Sequence, residues 1–215
     1  MVYGLNVRPE WGYYPKVEIV EPGDVSKVVA LHPVDDGGVG WQGLNGGVPV
    51  DGSHFHKVMG WMDPNGNRVP DFDQTPMLNV SERARQIIES VEPGVHQFFP
   101  VTYLDAQGTF LEARYWLNVC HRIDCLDREH STLVLRNGRV WRPAKDMARR
   151  GEPVPAHIDP DAPPRMVFSL SQIGNAHMWH DSHDDSGSIY LSDAMADAFS
   201  LVGLTGVRPI KSESI

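Results

Sequence analysis

Ten histidines are the main chemical reserve of this sequence. Three fall in the run His177-Met178-Trp179-His180-Asp181-Ser182-His183-Asp184-Asp185. Imidazoles three apart with carboxylates beside them can hold zinc, iron or manganese. On a helix, His177, His180 and His183 drift slowly around one face. On a strand, His177 and His183 share a face and His180 points away. Gly174 precedes the run, Ser186-Gly187-Ser188 follows it, and no apolar stripe runs through it. The pattern therefore reads as a strand end entering an acidic loop, with one histidine packed under Trp179. The zinc helix HExxH is absent. A metal-dependent hydrolase built on His177, His180 and His183 stays open as the alternative, although no metal and no cofactor is expected.

Other constellations are weaker. His54 and His56 would share one strand face, but a third ligand would have to come from His32, His96 or elsewhere. Cys120 and Cys125 are five apart, which is neither the CxxC of zinc ribbons nor that of redox motifs. They read as small buried apolar groups. A Cys120–His121 dyad is disfavoured, because sequence neighbours rarely present both side chains to one substrate. Asp124 and Asp127, at i, i+3, could do acid–base work. They can equally cap a turn and pair with Arg122 and Arg128, which is the favoured reading. No GxxxxGK[ST], GxGxxG or GxSxG motif is present, and no catalytic residue is assigned.

Charge suggests a partner. The chain has 215 residues with 19 Lys+Arg against 28 Asp+Glu, a formal net charge of −9. Residues 181–197 carry five aspartates and no Lys or Arg, whereas Arg136–Arg150 carries six basic residues against Asp146. The basic stretch lacks a nucleic-acid motif and reads as a solvated hairpin face. The acidic loop, through Asp181, Asp184 and Asp185, is the expected docking surface for a basic protein. No run approaches 18 apolar residues, so no membrane span is expected. The start of the chain lacks a signal pattern, so a cytoplasmic protein is expected.

The elements that must position these residues can also be read. Residues 13–20 and 25–31 read as β-strands, because β-branched and aromatic residues dominate and Pro or Gly marks their ends. Residues 33–75 hold nine Gly and four Pro, yet Trp41, Phe55, Met59, Trp61 and Phe72 punctuate them. That composition predicts an ordered, loop-rich region whose aromatics, Trp41 and Trp61 among them, could meet a partner or a second copy of the chain. Ser81–Glu92 is the clearest helix: Ala84, Ile87, Ile88 and Val91 follow i, i+3, i+4, i+7, Ser81 caps it, and Pro93-Gly94 stop it. Leu111, Ala113, Tyr115, Leu117 and Val119 alternate with Glu112, Arg114, Trp116 and Asn118, which predicts a strand with one apolar face. His96–Leu104 pairs with it through a loop at 105–108. Asn137-Gly138 marks a second hairpin between 131–136 and 139–141. Residues 151–165, with five prolines, form a stiff connector. Strands over 165–170 and 188–191, a helix over 193–202 capped by Ser192, and a strand near 207–210 complete the chain. The fold class is α+β, a largely antiparallel sheet with hairpins packed by a few short helices. A loop-rich β region over 1–78, as a possible subdomain, precedes an α+β domain over 79–215.

Two separated blocks then resemble a known family. Tyr115-Trp116-Leu117-Asn118-Val119, followed by Asp124, Asp127 and Ser131, is the first. The second is Ile189-Tyr190-Leu191-Ser192-Asp193, a short helix, and Gly203-Leu204-Thr205-Gly206-Val207. Together they resemble immunity family eleven of the bacterial polymorphic toxin systems, over roughly residues 80–210. The resemblance implies a non-enzymatic protein that binds and neutralises a cognate toxin encoded beside it. It carries over no catalytic residue. Asn118, Asp124, Asp127, Ser192 and Gly206 match its pattern and are expected to be fold determinants. An interaction module or homodimer of unknown role is the remaining alternative.

Overall fold

The long alternating strand has core on both faces, and that decides the architecture. The computed structural model describes residues 1–8, 15–31, 46–63 and 65–215. In chain order the elements are β1 (Val2–Val7), β2 (Lys16–Glu21), β3 (Val58–Met62), β4 (Phe72–Asp73), β5 (Asn79–Ser81), α1 (Glu82–Val91), β6 (Gln97–Leu104), β7 (Phe110–Asn118), β8 (Arg122–Ile123), β9 (Leu133–Arg136), β10 (Val140–Pro143), α2 (Ala144–Arg149), β11 (Val167–Phe168), α3 (Leu170–Ile173), β12 (Met178–Asp181), β13 (Tyr190–Ser192), α4 (Asp193–Leu201) and β14 (Val207–Ser214). Among the described residues they form two six-stranded sheets, β2-β3-β6-β7-β5-β4 and β11-β14-β1-β13-β12-β8, and the separate hairpin β9–β10. Pairing is antiparallel except for β3–β6, β11–β14 and β8–β12. This is the expected α+β class with sheet predominant.

The first core lies between the sheets. Val80, Leu117 and Val119 from one sheet meet Met178 and Leu191 from the other, with Ala84 and Ile88 of α1 and Met195 and Phe199 of α4 between them. Ser81 accepts from the Ala84 amide and Ser192 from the Met195 amide, so both expected helix caps are formed. Each sheet then buries its other face as well. Met59, Trp61, Val101, Tyr103 and Trp116 form a second core; Cys125, Trp141, Phe168, Trp179 and Tyr190 form a third. Period-2 alternation does the sorting, since Met178 and Trp179, or Leu191 and Tyr190, are neighbours sent to opposite cores. Fully burying each such side chain contributes about 1.5–3 kcal/mol.

The polar face expected on β7 is therefore corrected. Arg114, Trp116 and Asn118 are fully buried, because a second layer covers them. Arg114 survives there by satisfying its guanidinium: it donates to Asn79 Oδ1 (2.7 Å), Glu112 Oε1 (2.7 Å) and the Pro70 carbonyl (2.6 Å), and lies 5.4 Å from the centre of the Tyr103 ring. Trp116 donates to the His56 carbonyl, and Asn118 to the Val48 carbonyl and to Gln97.

Other expectations shift. Residues 25–31 are not a strand: Val25–Lys27 is a short 3-10 turn, and only Ala30 makes a bridge, to Val50. Asp24 competes for the backbone there, bonding Ser26 Oγ at 2.5 Å through its carboxylate and the Lys27 amide through its carbonyl. Tyr13, Tyr14, His32 and Trp41 lie outside the described residues. Within the Gly-rich region, β3 is an internal strand, and Phe55, Met59, Trp61 and Phe72 are all core residues. The strand expected over 165–170 shortens to β11 and gives way to α3, whereas β14 extends well past Ile210. Asn137 and Gly138 both take positive φ, 53° and 70°, as the hairpin turn requires. Residues 152–164 contain no helix or strand, but Ile158 anchors them among Val134, Ala144 and Met147. The boundary expected after residue 78 falls inside shared sheets. β1 lies between β13 and β14, and β2–β4 share a sheet with β5–β7.

Candidate functional site

The acidic loop is built into the fold. Asp181 ends β12 and is 2% exposed. Its Oδ1 accepts from Trp141 Nε1 and from the His183 amide, both at 2.8 Å. Its Oδ2 accepts from the Cys125 amide at 3.1 Å and from the thiol at 3.2 Å. One carboxylate thus joins β12, the 124–126 segment and the β9–β10 hairpin. Burial, and then the Asp181 charge, push the Cys125 thiol far up its titration scale, so it stays protonated. Asp184 accepts from the Ser186 amide at 2.8 Å and the Tyr190 hydroxyl at 3.0 Å. Asp185 is forked onto Arg142, whose bond holds its carboxyl below the usual range. The expectation that Asp181 faces a partner is corrected, and Asp184 and Asp185 already have internal donors. Trp61 is likewise in the core, 5% exposed, with its indole N–H given to the Asn67 carbonyl.

The three histidines part company. His177 Nδ1 bonds Ser192 Oγ (2.8 Å), His180 Nδ1 donates to the Ser188 carbonyl (2.9 Å), and His183 Nδ1 donates to the Arg139 carbonyl (3.0 Å). Among the described residues, no three His, Cys, Asp or Glu side chains are placed to share a metal ion. His180 is buried, and its Nε2 has no partner. Burial drops its pKa to about 4, so the ring is neutral at pH 7. His56 is also buried; its Nδ1 accepts from the Gly23 amide at 2.9 Å.

Asp124 pairs with Arg128 at 2.6 Å, as the sequence suggested. Asp127 instead caps a turn, accepting from the amides of Glu129 and His130 and from the His130 ring. Most of the basic 136–150 stretch is neutralised internally through Arg136–Glu152, Arg142–Asp185, Arg149–Asp146 and Lys145–Asp161. Gly206 has φ +74°, and a Cβ there would lie 2.1 Å from the Phe72 carbonyl. It is a fold determinant, since only glycine permits that approach.

A second buried polar junction has no counterpart among the sequence expectations. Glu92, just past α1, accepts from the His177 amide (3.0 Å), the Met178 amide (2.9 Å) and His96 Nε2 (2.9 Å). His121 Nδ1 stands 3.1 Å from the same carboxylate but off line for a hydrogen bond. His96 Nδ1 accepts from the Cys120 amide at 3.2 Å, which leaves the proton on Nε2. Burial works to raise the Glu92 pKa; the bonds from His96 and the His177 amide outweigh it, and the net shift is downward. The junction fastens α1 to β12. Its one sequence signal is the i, i+4 spacing of Glu92 and His96 across Pro93-Gly94.

A cleft of about 710 Å³ opens between the two large sheets, walled by Leu5, Val28, Phe55, Met77, Leu117 and Ile189. Its described lining residues include serines and a glutamine but no charged group. Such walls supply neither a general acid nor a base.

No curated protein matches the chain. The model of the immunity protein family Imm11 matches residues 52–214, a span that contains both recognised sequence blocks, the Glu92 junction and the Asp181 latch. That span is well over half of the chain, so the chain belongs to the immunity protein family Imm11.

Proposed function

We propose that this protein neutralises a cognate toxin by binding it, without catalysis, in the cytoplasm of the cell that makes both. The observation that carries the proposal is membership of the Imm11 family. The state of the chemistry-bearing residues supports it. Asp181, Glu92, His96 and Cys125 are held by bonds that stitch strands together. The described residues contain no helix long and apolar enough to cross a membrane. The net charge of −9 would speed encounter with a basic toxin. The partner is expected to be the product of a neighbouring gene.

Growth rescue tests this. The adjacent reading frame is expressed in a sensitive host with and without this chain. Toxicity alone, survival together and co-purification at a fixed ratio are expected. Survival without a stable complex would replace neutralisation by binding with an enzymatic mechanism. No toxicity from either neighbour would remove the cognate-toxin reading.

A further inference from the structure

The two large sheets are built to one plan. In the first, β5 leads through α1 to β6, and β7 lies between those strands, antiparallel to both. In the second, β13 leads through α4 to β14, and β1 lies between them, antiparallel to both. The flanks agree as well. β4 runs antiparallel to β5 and β12 to β13, while β3 runs parallel to β6 and β11 to β14. A helix crossing over an intervening strand is a common motif, so topology alone decides little. Register decides more. One constant shift in numbering for β5 and β6, and another for β7, carries the pairs of one sheet onto those of the other. The pair Asn79 and Trp116 falls on Tyr190 and Gly4, and Ser81 and Arg114 fall on Ser192 and Val2. Gln97 and Asn118 fall on Arg208 and Asn6. Single bonds follow the same shifts. The Leu117 amide donates to the Leu78 carbonyl (3.0 Å) as the Leu5 amide does to that of Ile189 (2.8 Å). The two capping serines also match: the Ser81 amide donates to the Asp71 carbonyl (2.9 Å) and the Ser192 amide to that of His177 (3.0 Å). Tyr3-Gly4-Leu5-Asn6-Val7 and Tyr115-Trp116-Leu117-Asn118-Val119 differ only at their second position.

We infer that the chain is two copies of one unit, β3-β4-β5-α1-β6-β7 and β11-β12-β13-α4-β14-β1, and that β1 is the closing strand of the second copy, carried at the other end of the sequence. The copies face each other as the halves of a two-fold dimer do. Helix α1 packs on α4, and Ala84 and Ile88 match Met195 and Phe199 in the core they share. The braces between the copies are reciprocal, which is the mark of an isologous interface. Past the end of α1, Glu92 accepts from the His177 and Met178 amides. Past the end of α4, the Thr205 amide donates to the Asp71 carboxylate (2.9 Å), and the Thr205 carbonyl accepts from the Phe72 amide (3.0 Å). Asp71-Phe72 and His177-Met178 are matched positions, since Phe72 pairs with Val80 as Met178 pairs with Leu191. Each copy therefore grips the same two residues of the other. The cleft between the sheets is the open part of this seam, and matched residues wall it: Leu5 and Leu117, Val7 and Val119, Ile189 and Leu78. The surface that each copy buries here fits a second copy of the same unit.

Two kinds of full-length variant test this. The first moves residues 1–8 behind Ile215 through a copy of residues 105–112, because Ile215 corresponds to Leu104 and Met1 to Ala113. Strands β14 and β1 then form the hairpin that β6 and β7 form, and both copies run in one order. This permuted chain is expected to unfold in urea in one cooperative step, with its midpoint within about 0.5 M of the parent's. Amide exchange is expected to be as slow in β1 and β14 as in the parent. The second kind exchanges the matched core residues. A84M/I88F overfills the core and M195A/F199I hollows it, whereas A84M/I88F/M195A/F199I keeps its volume and gives each helix the other's residues. Each half is expected to lower the urea midpoint, and the full exchange to recover more than half of their combined loss. A full exchange that loses as much as the two halves together would overturn the matching of the copies. A permuted chain without a cooperative transition, or with freely exchanging β1 amides, would overturn the assignment of β1 to the second copy.

Discussion

Asp181→Asn separates a structural carboxylate from a docking one. Asp181 accepts from four donors: the Trp141 indole and the His183 amide on one oxygen, the Cys125 amide and thiol on the other. An asparagine keeps one oxygen and turns an NH2 towards donors. In its better orientation the amide oxygen faces Trp141 and His183, and the Cys125 N–H is left unpaired. A buried orphaned donor costs about 1–3 kcal/mol, and losing the charge weakens the remaining bonds, each worth about 1.5–3 kcal/mol when charge-assisted. The expected loss is about 3 kcal/mol. Urea unfolding followed by tryptophan fluorescence reads it directly, since Trp141 and Trp179 lie in the same core. Trp141→Phe alone should cost about 1–2 kcal/mol, and the double variant less than the sum, because the Trp141 bond that Asp181→Asn weakens is the one that Trp141→Phe removes. Asp185→Asn should cost less than about 1 kcal/mol, because its Arg142 pair is partly exposed. A loss below about 1 kcal/mol for Asp181→Asn, or additivity in the double variant, would refute the latch.

Three further outcomes are expected. The unfolded pKa of a histidine is about 6.5, and His180 titrates near 4 when folded, so the unfolded state binds the extra proton between these values. Its stabilising contribution is complete above pH 6.5 and is lost as pH falls towards 4, by about 2 kcal/mol between pH 7 and pH 5. His180→Asn should flatten that part of the stability–pH curve; a curve unchanged in shape would disprove it. Gly206→Ala should destabilise by more than the ~1–2 kcal/mol of a positive φ alone, because its Cβ would meet the Phe72 carbonyl; an unshifted melting temperature would contradict the close approach. Glu92→Gln should cost about 2–4 kcal/mol and loosen the 176–178 backbone, since its carboxylate holds the His177 and Met178 amides; unchanged exchange rates at those amides would refute the junction.

Local chemistry carried much of the fold into the sequence. The α1 and α4 caps, the Asn137-Gly138 turn and the β6–β7 hairpin depend on residues within a few positions of one another. Propensity, periodicity and turn stereochemistry therefore decide them, and the two family blocks are legible on the same local scale. The fate of the charged and polar groups was decided elsewhere. Alternation placed Arg114, Trp116 and Asn118 on one side of β7, but only the second layer of Trp61, Tyr103 and Met59 makes that side interior. Asp181, Asp184 and Asp185 look alike in sequence. Asp184 is met by its near neighbours Ser186 and Tyr190, whereas Trp141, Cys125 and Arg142, the donors that set Asp181 and Asp185 apart, lie about 40 residues or more away and are brought close by the fold. Glu92 becomes a junction only because β12 returns beside the end of α1. Leu104 stands between Gly60 and Phe110 only because strand pairing sets it there. Spacing along a chain fixes which side chains share an element's face. Whether that face meets core, ion or solvent depends on what packs against it, and that is settled by contacts distant in sequence.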